Sequence, residues 1–146
     1  MTYQELQDCR HAAEYIADMG ERMRRLESQI ERITGAMELA KCYRTGEPQD
    51  KMAGQIAKLL DWRDEYWDAM LARRELVRRL EAELEQPPWS QRRIMALRYI
   101  DALGWRQVAQ AAHYDRSRCF ALHKAALDAL KIQGQDPKRP ETVIES

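Results

Sequence analysis

The reading of this chain turns on SQRRIMALRYIDALGWRQVAQAAHYDRSRCFALHKAALDALKI, residues Ser90–Ile132. Apolar residues recur there at helical spacing in three short runs, with breaks at Leu103-Gly104 and at His113-Tyr114. Ser90 is a suitable N-cap for the first run, in which Ile94, Met95, Leu97 and Ile100 are expected to face inward and Arg92, Arg93 and Arg98 outward. Gly104 permits a turn. Trp105, Val108, Ala109 and Ala112 then fall at i, i+3, i+4 and i+7 and form one apolar face, whose small alanines let another helix come close. The next connection is as short as helix-turn-helix geometry requires. Asp115 is placed to cap the third run, with Cys119, Leu122, Ala126, Leu127 and Leu130 on its inner side. That leaves Arg116, Ser117, Phe120, Ala121 and Lys124 outside. A helical module that exposes a basic helix N-terminus is shaped to enter a DNA major groove.

Working outward, Gln86-Pro87-Pro88-Trp89 is the sharpest boundary in the chain. Two consecutive prolines remove two amide donors and force extended backbone before them. Upstream, residues 2–40 read as one long helix. Cys9, Ala12, Ile16, Met19, Met23, Leu26, Ile30, Ile33, Met37 and Ala40 form a heptad seam among charged residues. Such a helix cannot bury its apolar edge alone. The segment Cys42–Asp50, with Gly46 and Pro48, breaks the pattern. A second long helix follows to about Glu85, on Met52, Ile56, Leu59, Leu60, Tyr66, Trp67, Met70, Val77, Leu80 and Leu84. Arg63, Arg73 and Arg74 intrude near its seam. The expected fold class is all-α: a long helical hairpin or coiled coil over residues 1–86, serving oligomerisation, then a three-helix helix-turn-helix domain over 90–132. Residues 133–146 lack apolar periodicity and read as a disordered tail.

Charge supports the division. The net charge is zero, but residues 1–89 hold 14 Lys/Arg against 18 Asp/Glu, whereas residues 90–132 hold 8 against 3. Positive charge is therefore concentrated where phosphates are expected. No apolar run is long enough to span a bilayer, and the N-terminus lacks a secretory pattern, so a cytoplasmic location away from membranes is expected. Cys9, Cys42 and Cys119 are an odd number at wide spacing and indicate neither a disulfide framework nor a zinc knuckle.

The stretch LRYIDALGWRQVAQAAHYDRSRCFALHKAALDAL resembles region 4 of sigma factors, the helix-turn-helix that reads the −35 element. It resembles still more closely the small phage and prophage late-gene regulators of the ArpU/RinA type, which join a charged helical N-terminal part to a sigma region 4-like domain. Their run appears here as Arg98-Tyr99-Ile100, Trp105, Val108-Ala109, Tyr114, Leu122-His123 and Ala126-Leu127. The resemblance covers most of residues 30–131, strongly in the last 40 and loosely before them. It departs at Asp115, where Ser or Thr is usual, and at Cys119, usually an aliphatic. It implies that Arg116, Ser117, Phe120 and Ala121 address base edges, arginine by paired hydrogen bonds to guanine and Phe120 and Ala121 by contact with thymine methyls. Arg106, Gln107, Arg118 and Lys124 are placed for phosphates.

Simpler readings stand beside these. Three-helix modules also serve as plain protein-binding domains. Cys119 and His123, four apart on one helix, could share a metal, but no further ligand is near in sequence, and Cys119 reads more simply as a small packed residue. Trp62, Tyr66 and Trp67 form an aromatic cluster better suited to helix packing or a dimer contact than to a ligand cage. No acid–base pair or nucleophile constellation is present in the pattern, so neither an enzyme nor a cofactor is expected. The resulting expectation is a transcriptional regulator of phage or prophage genes, binding double-stranded DNA as a homo-oligomer, with a dimer favoured and host RNA polymerase as a further partner. The rivals are a small terminase-like DNA-packaging protein and a polymerase- or sigma-binding interaction protein.

Overall fold

Five helices run in the order α1 (Tyr3–Ala40), α2 (Glu47–Glu83), α3 (Trp89–Met95), α4 (Trp105–Ala112) and α5 (Arg116–Ala129), with one π-helical turn, Ala96–Ile100, continuing α3. These elements are seen in a computed structural model that describes residues 1–40 and 47–132, with backbone alone at 37–50 where it is described. Among the described residues there is no strand, so the chain is all-α. The expected tail at 133–146, residues 42–46 of the expected break at Cys42–Asp50, and the side chains of Met37 and Ala40 in the heptad seam lie outside what is described. The rest of that break, residues 47–50, is the first turn of α2, where the missing amide of Pro48 costs no helical bond.

Two compact units divide the chain: residues 1–14 with 72 onward, and residues 15–71. Pro87-Pro88 ends α2 but does not end a unit. The first unit is larger than the 90–132 segment, because its apolar interior has two halves. One joins Ile94, Trp105, Val108, Ala112 and Cys119 of α3, α4 and α5. The other joins Met95 and Tyr99, Ala126, Leu127 and Ile132 to Leu6 of α1 and to Leu80 and Leu84 of α2. The module's second face is thus closed by the first turns of α1 and the last turns of α2. Polar contacts follow the same lines: Arg79 pairs with Glu5 at 3.1 Å and the N-terminal ammonium with Glu83 at 2.9 Å. These pairs are partly exposed, so they fix register more than they stabilise.

Arg73, one of the intruding arginines of the α2 seam, has a specific place. Its Nε donates to the carbonyl of Cys9 at 3.0 Å, and its Nη2 donates to the carbonyls of Tyr99 and Ile100. The π turn explains the need. The Asp101 amide bonds to the Ala96 carbonyl, five residues back, and the Leu103 amide to the Leu97 carbonyl. The last carbonyls of this widened turn point away from any helical amide, and a helix end buried without partners is costly. A guanidinium supplies several donors at once.

The short helices end without glycine. Ala102, His113 and Lys131 adopt left-handed backbone, with φ of 57°, 59° and 55°. Each stands just beyond a helix, and the following amides return to the helix: Tyr114 to Ala109 at 3.2 Å and Ile132 to Leu127 at 2.9 Å. Gly104, by contrast, is extended at φ −67° and ψ 158°, and is the N-cap of α4 rather than its hinge. The turn expected at Gly104 is made by Ala102. Ser90 likewise is not a cap: α3 begins at Trp89 after Pro88, with no side-chain cap bond. Because a Cβ is strained at positive φ, Ala102→Gly and His113→Gly are each expected to raise stability by about 0.5–1 kcal/mol, read as a shift in the urea midpoint.

In the second unit α1 and α2 pack together at Gly20, which lies against Tyr66, where an added Cβ would stand 3.7 Å from the ring. Met19 and Leu26 are buried, and Ile16, Met23, Ile30 and Ile33 half-buried, so the heptad seam of α1 faces inward over its described length. The apolar set of α2 divides. Met52, Leu59, Tyr66 and Met70 are half-buried, whereas Ile56, Leu60 and Trp67 are exposed.

Candidate nucleic-acid interface

Local chemistry sets up the start of α5. His113 closes α4 in left-handed backbone, Tyr114 crosses, and the Asp115 carboxylate accepts from the Arg118 amide at 2.7 Å. This satisfies one of the orphan amides of the first turn, as the sequence pattern predicts. Behind the turn, Trp105 is 1% exposed and meets the Phe120 ring edge-on at 4.9 Å. Val108, Ala112 and Cys119 fill the angle between α4 and α5. The two helices are therefore held by close packing, which a surface that must match a groove requires.

Arg116, Ser117, Ala121 and Lys124 are exposed on α5, and Arg106 and Gln107 are exposed at the start of α4. At about 100° per residue, Arg116, Ser117, Phe120, Ala121 and Lys124 share one side of α5. Arg118 points elsewhere, its guanidinium lying over the Tyr114 ring at 4.5 Å. Phe120 differs from its neighbours: it is half-buried and packed against the inner cluster through Trp105. Only part of its ring edge reaches the surface. Arg106, Gln107, Gly104 and Gln110 line an open hollow beside α4, and the Gln107 side chain accepts from the Gly104 amide at 3.2 Å.

The basic charge of the module is not all on this surface. Arg98, expected to face outward, is fully buried. Its Nη1 donates to the Leu103 carbonyl at 3.0 Å and its guanidinium lies 4.6 Å from the Trp105 ring centre. Arg93, also expected outside, is half-buried and donates to the Ala111 carbonyl at 2.7 Å. Both arginines hold short helices together through carbonyls that the turns leave free. Arg98 stands four residues after Ile94 and three after Met95, both buried, so regular helical spacing already puts it on the inner face, and only its charge argues for the surface.

His123 lies on the buried face of α5, four residues after Cys119 and four before Leu127. It is 3% exposed, its Nε2 lies 2.7 Å from the Tyr99 hydroxyl, and the Trp105 ring stands edge-on at 4.8 Å. Burial, helped by the nearby Arg98 charge, pushes its pKa down to about 3, so the imidazole is neutral in the folded chain. Cys119, four residues earlier, is buried in the apolar cluster, and burial raises its thiol pKa. Its environment is that of a packing residue. Among the described residues no group of three or more His, Cys, Asp or Glu side chains is placed to hold a metal, and no helix is long and apolar enough to cross a membrane.

No protein-family model, curated protein or solved structure matches the chain.

Proposed function

We propose that this chain is a sequence-specific DNA-binding transcriptional regulator of the phage and prophage type, reading the major groove with a helix-turn-helix formed by α4 and α5. The supporting observation is the conjunction of a tightly packed α4–turn–α5 corner with Arg116, Ser117, Ala121 and Lys124 exposed on one side of the second helix. In this reading Arg116, Ser117 and Ala121 address base edges, with the exposed edge of Phe120 beside them. Arg106, Gln107, Arg118 and Lys124 contact phosphates and set register. The fold is a helical hairpin formed by α1 and α2 joined to a sigma region 4-like three-helix module. The hairpin pairs two copies so that two recognition helices meet neighbouring half-sites, about 34 Å apart. The chain acts without a catalytic centre, in the cytoplasm, where host RNA polymerase is its second partner.

Selection of bound fragments from genomic DNA by the purified protein, followed by titration of the winning site at several salt concentrations, tests this. Binding is expected to weaken steeply with salt. Arg116→Ala is expected to lower affinity by at least about tenfold and to relax preference at one base pair, whereas Arg118→Ala weakens all sequences alike and reduces the salt slope by about one per chain. Unchanged binding by the double variant would remove α5 from the assignment. A ring of eight or more subunits in light scattering would favour a packaging protein instead.

A further inference from the structure

We propose that the exposed face of α2 between Ile56 and Leu71 docks a second copy of this chain in antiparallel fashion about a two-fold axis. The inference deepens the regulator reading, on which it rests for its purpose: it names the surface that brings two recognition helices together. In the second unit α2 carries two apolar sides. Met52, Leu59, Tyr66 and Met70 are half-buried on one. On the other, Ile56, Leu60, Trp67 and Leu71 are 38%, 51%, 52% and 57% exposed. Helical geometry puts these four within an arc of about 60°, along roughly 22 Å of helix. Together they expose on the order of 400 Å² of mostly apolar surface, a size at which a patch on a single chain marks a contact site.

The order of the residues says what covers them. A two-fold axis lying between Arg63 and Asp64 reverses the stripe onto itself. Ile56 of one chain then faces Leu71 of the other, Leu60 faces Trp67, and Arg63 faces Asp64. Each apolar residue meets an apolar one, and the exposed cation meets the exposed carboxylate twice, once on each side of the axis. An isologous contact demands this self-complementarity. Trp67 and Leu60 also border an open cleft of about 330 Å³, whose other walls are Met23, Glu27, Leu59, Arg63 and Tyr66. Such a cleft beside an exposed tryptophan is where an aromatic anchor seats. From both chains the stripe offers about 800 Å², below the roughly 1,200 Å² of stable specific interfaces, so the dimer is a weak one that forms with rising concentration.

Sedimentation equilibrium of the full chain without DNA, from about 1 to 200 µM, tests this. A monomer–dimer equilibrium is expected. Trp67→Glu and Leu60→Glu are each expected to weaken it by more than about tenfold, and both positions are exposed enough to leave the helices intact by circular dichroism. The decisive arm is charge reversal. R63D places two carboxylates opposite each other and D64R two cations, so either alone weakens the dimer, by about tenfold. Mixing R63D with D64R restores opposite charges at both sites and returns association to near the wild-type level. A chain monomeric throughout the range overturns the proposal. So does association that ignores all four changes, a mixture that pairs no better than its components, or a closed ring. DNA affinity is read separately: a dimer that binds no DNA overturns the regulator reading and leaves this contact standing, whereas a salt-dependent DNA binder that stays monomeric does the reverse.

Discussion

Trp105→Ala is expected to destabilise the first unit by about 3–5 kcal/mol, the range for removing a large buried aromatic side chain. The indole is 1% exposed and lies against Phe120 at 4.9 Å, His123 at 4.8 Å and the Arg98 guanidinium at 4.6 Å, within the apolar cluster of Ile94, Val108 and Cys119. Truncation leaves a cavity and also uncovers a buried arginine that has lost its aromatic face. Trp105→Phe separates the contributions. The Trp105 Nε1 is buried with no hydrogen-bond partner among the described residues, so exchanging indole for phenyl loses area but removes a desolvated donor. The phenyl variant is therefore expected to cost only about 1 kcal/mol. Urea denaturation followed by circular dichroism gives both values. A phenylalanine variant as damaged as the alanine one would show that ring size, and not the stranded donor, dominates at this position.

The second large effect is acid sensitivity centred on His123. Its folded pKa is about 3, against an ordinary histidine value of 6.5. A buried neutral imidazole takes no proton in the folded chain between these values, whereas the unfolded chain does. The unfolded state thus binds more protons in that window, and stability rises with pH across it. Stability is full above pH 6.5 and falls below it by about 1.4 kcal/mol per pH unit, until the folded imidazole itself titrates. At pH 4.5 the loss is about 3 kcal/mol, before ordinary carboxylates contribute much. Glu5 and Glu75, both held below the usual carboxylate range mainly by hydrogen bonds, add a decline in the same direction only at lower pH. His123→Gln keeps a polar partner for the Tyr99 hydroxyl and cannot ionise. It is expected to cost about 1–2 kcal/mol at pH 7.5 and to flatten the profile between pH 6.5 and 4.5. An unchanged slope in that variant would assign the acid sensitivity elsewhere.

Both predictions concern residues whose surroundings span three helices, and this marks the limit of what sequence pattern reveals. The Asp115 cap, the break after Ala112, and the exposure of Arg116, Ser117, Ala121, Lys124, Arg106 and Gln107 are all legible from the chain. Each depends on a few neighbouring residues and on a regular 100° step. Arg98 has inward spacing, four residues from Ile94 and three from Met95, but its charge argues for the surface, and only the Leu103 carbonyl and the Trp105 ring, brought in by the fold, let it be buried. His123 has the spacing of the inner face, between Cys119 and Leu127, but the chain names neither the Tyr99 hydroxyl nor the Trp105 ring as what it meets there. Phe120 lies between the two cases: periodicity places it outside, and Trp105, fifteen residues earlier, draws its ring partly in. The left-handed helix ends were hidden because Ala102, His113 and Lys131 carry none of the glycine signal that usually marks them.

By itself the sequence determined the helical character of the described chain, the ends of the short helices to within a few residues, and a basic third run begun by a capping aspartate. All are local: hydrogen-bonded turns, proline's missing amide and side-chain caps act over a few residues. Tertiary structure alone decided that Leu6 and Cys9 share an interior with Tyr99, that Arg73 closes the carbonyls of Tyr99 and Ile100, and that Arg98 and His123 are buried together. It also divided the apolar residues of α2 into a packed side and the open stripe of Ile56, Leu60, Trp67 and Leu71. Burial is a property of what arrives from elsewhere in the chain. A helix records its own faces in its sequence, but not which of them will be covered.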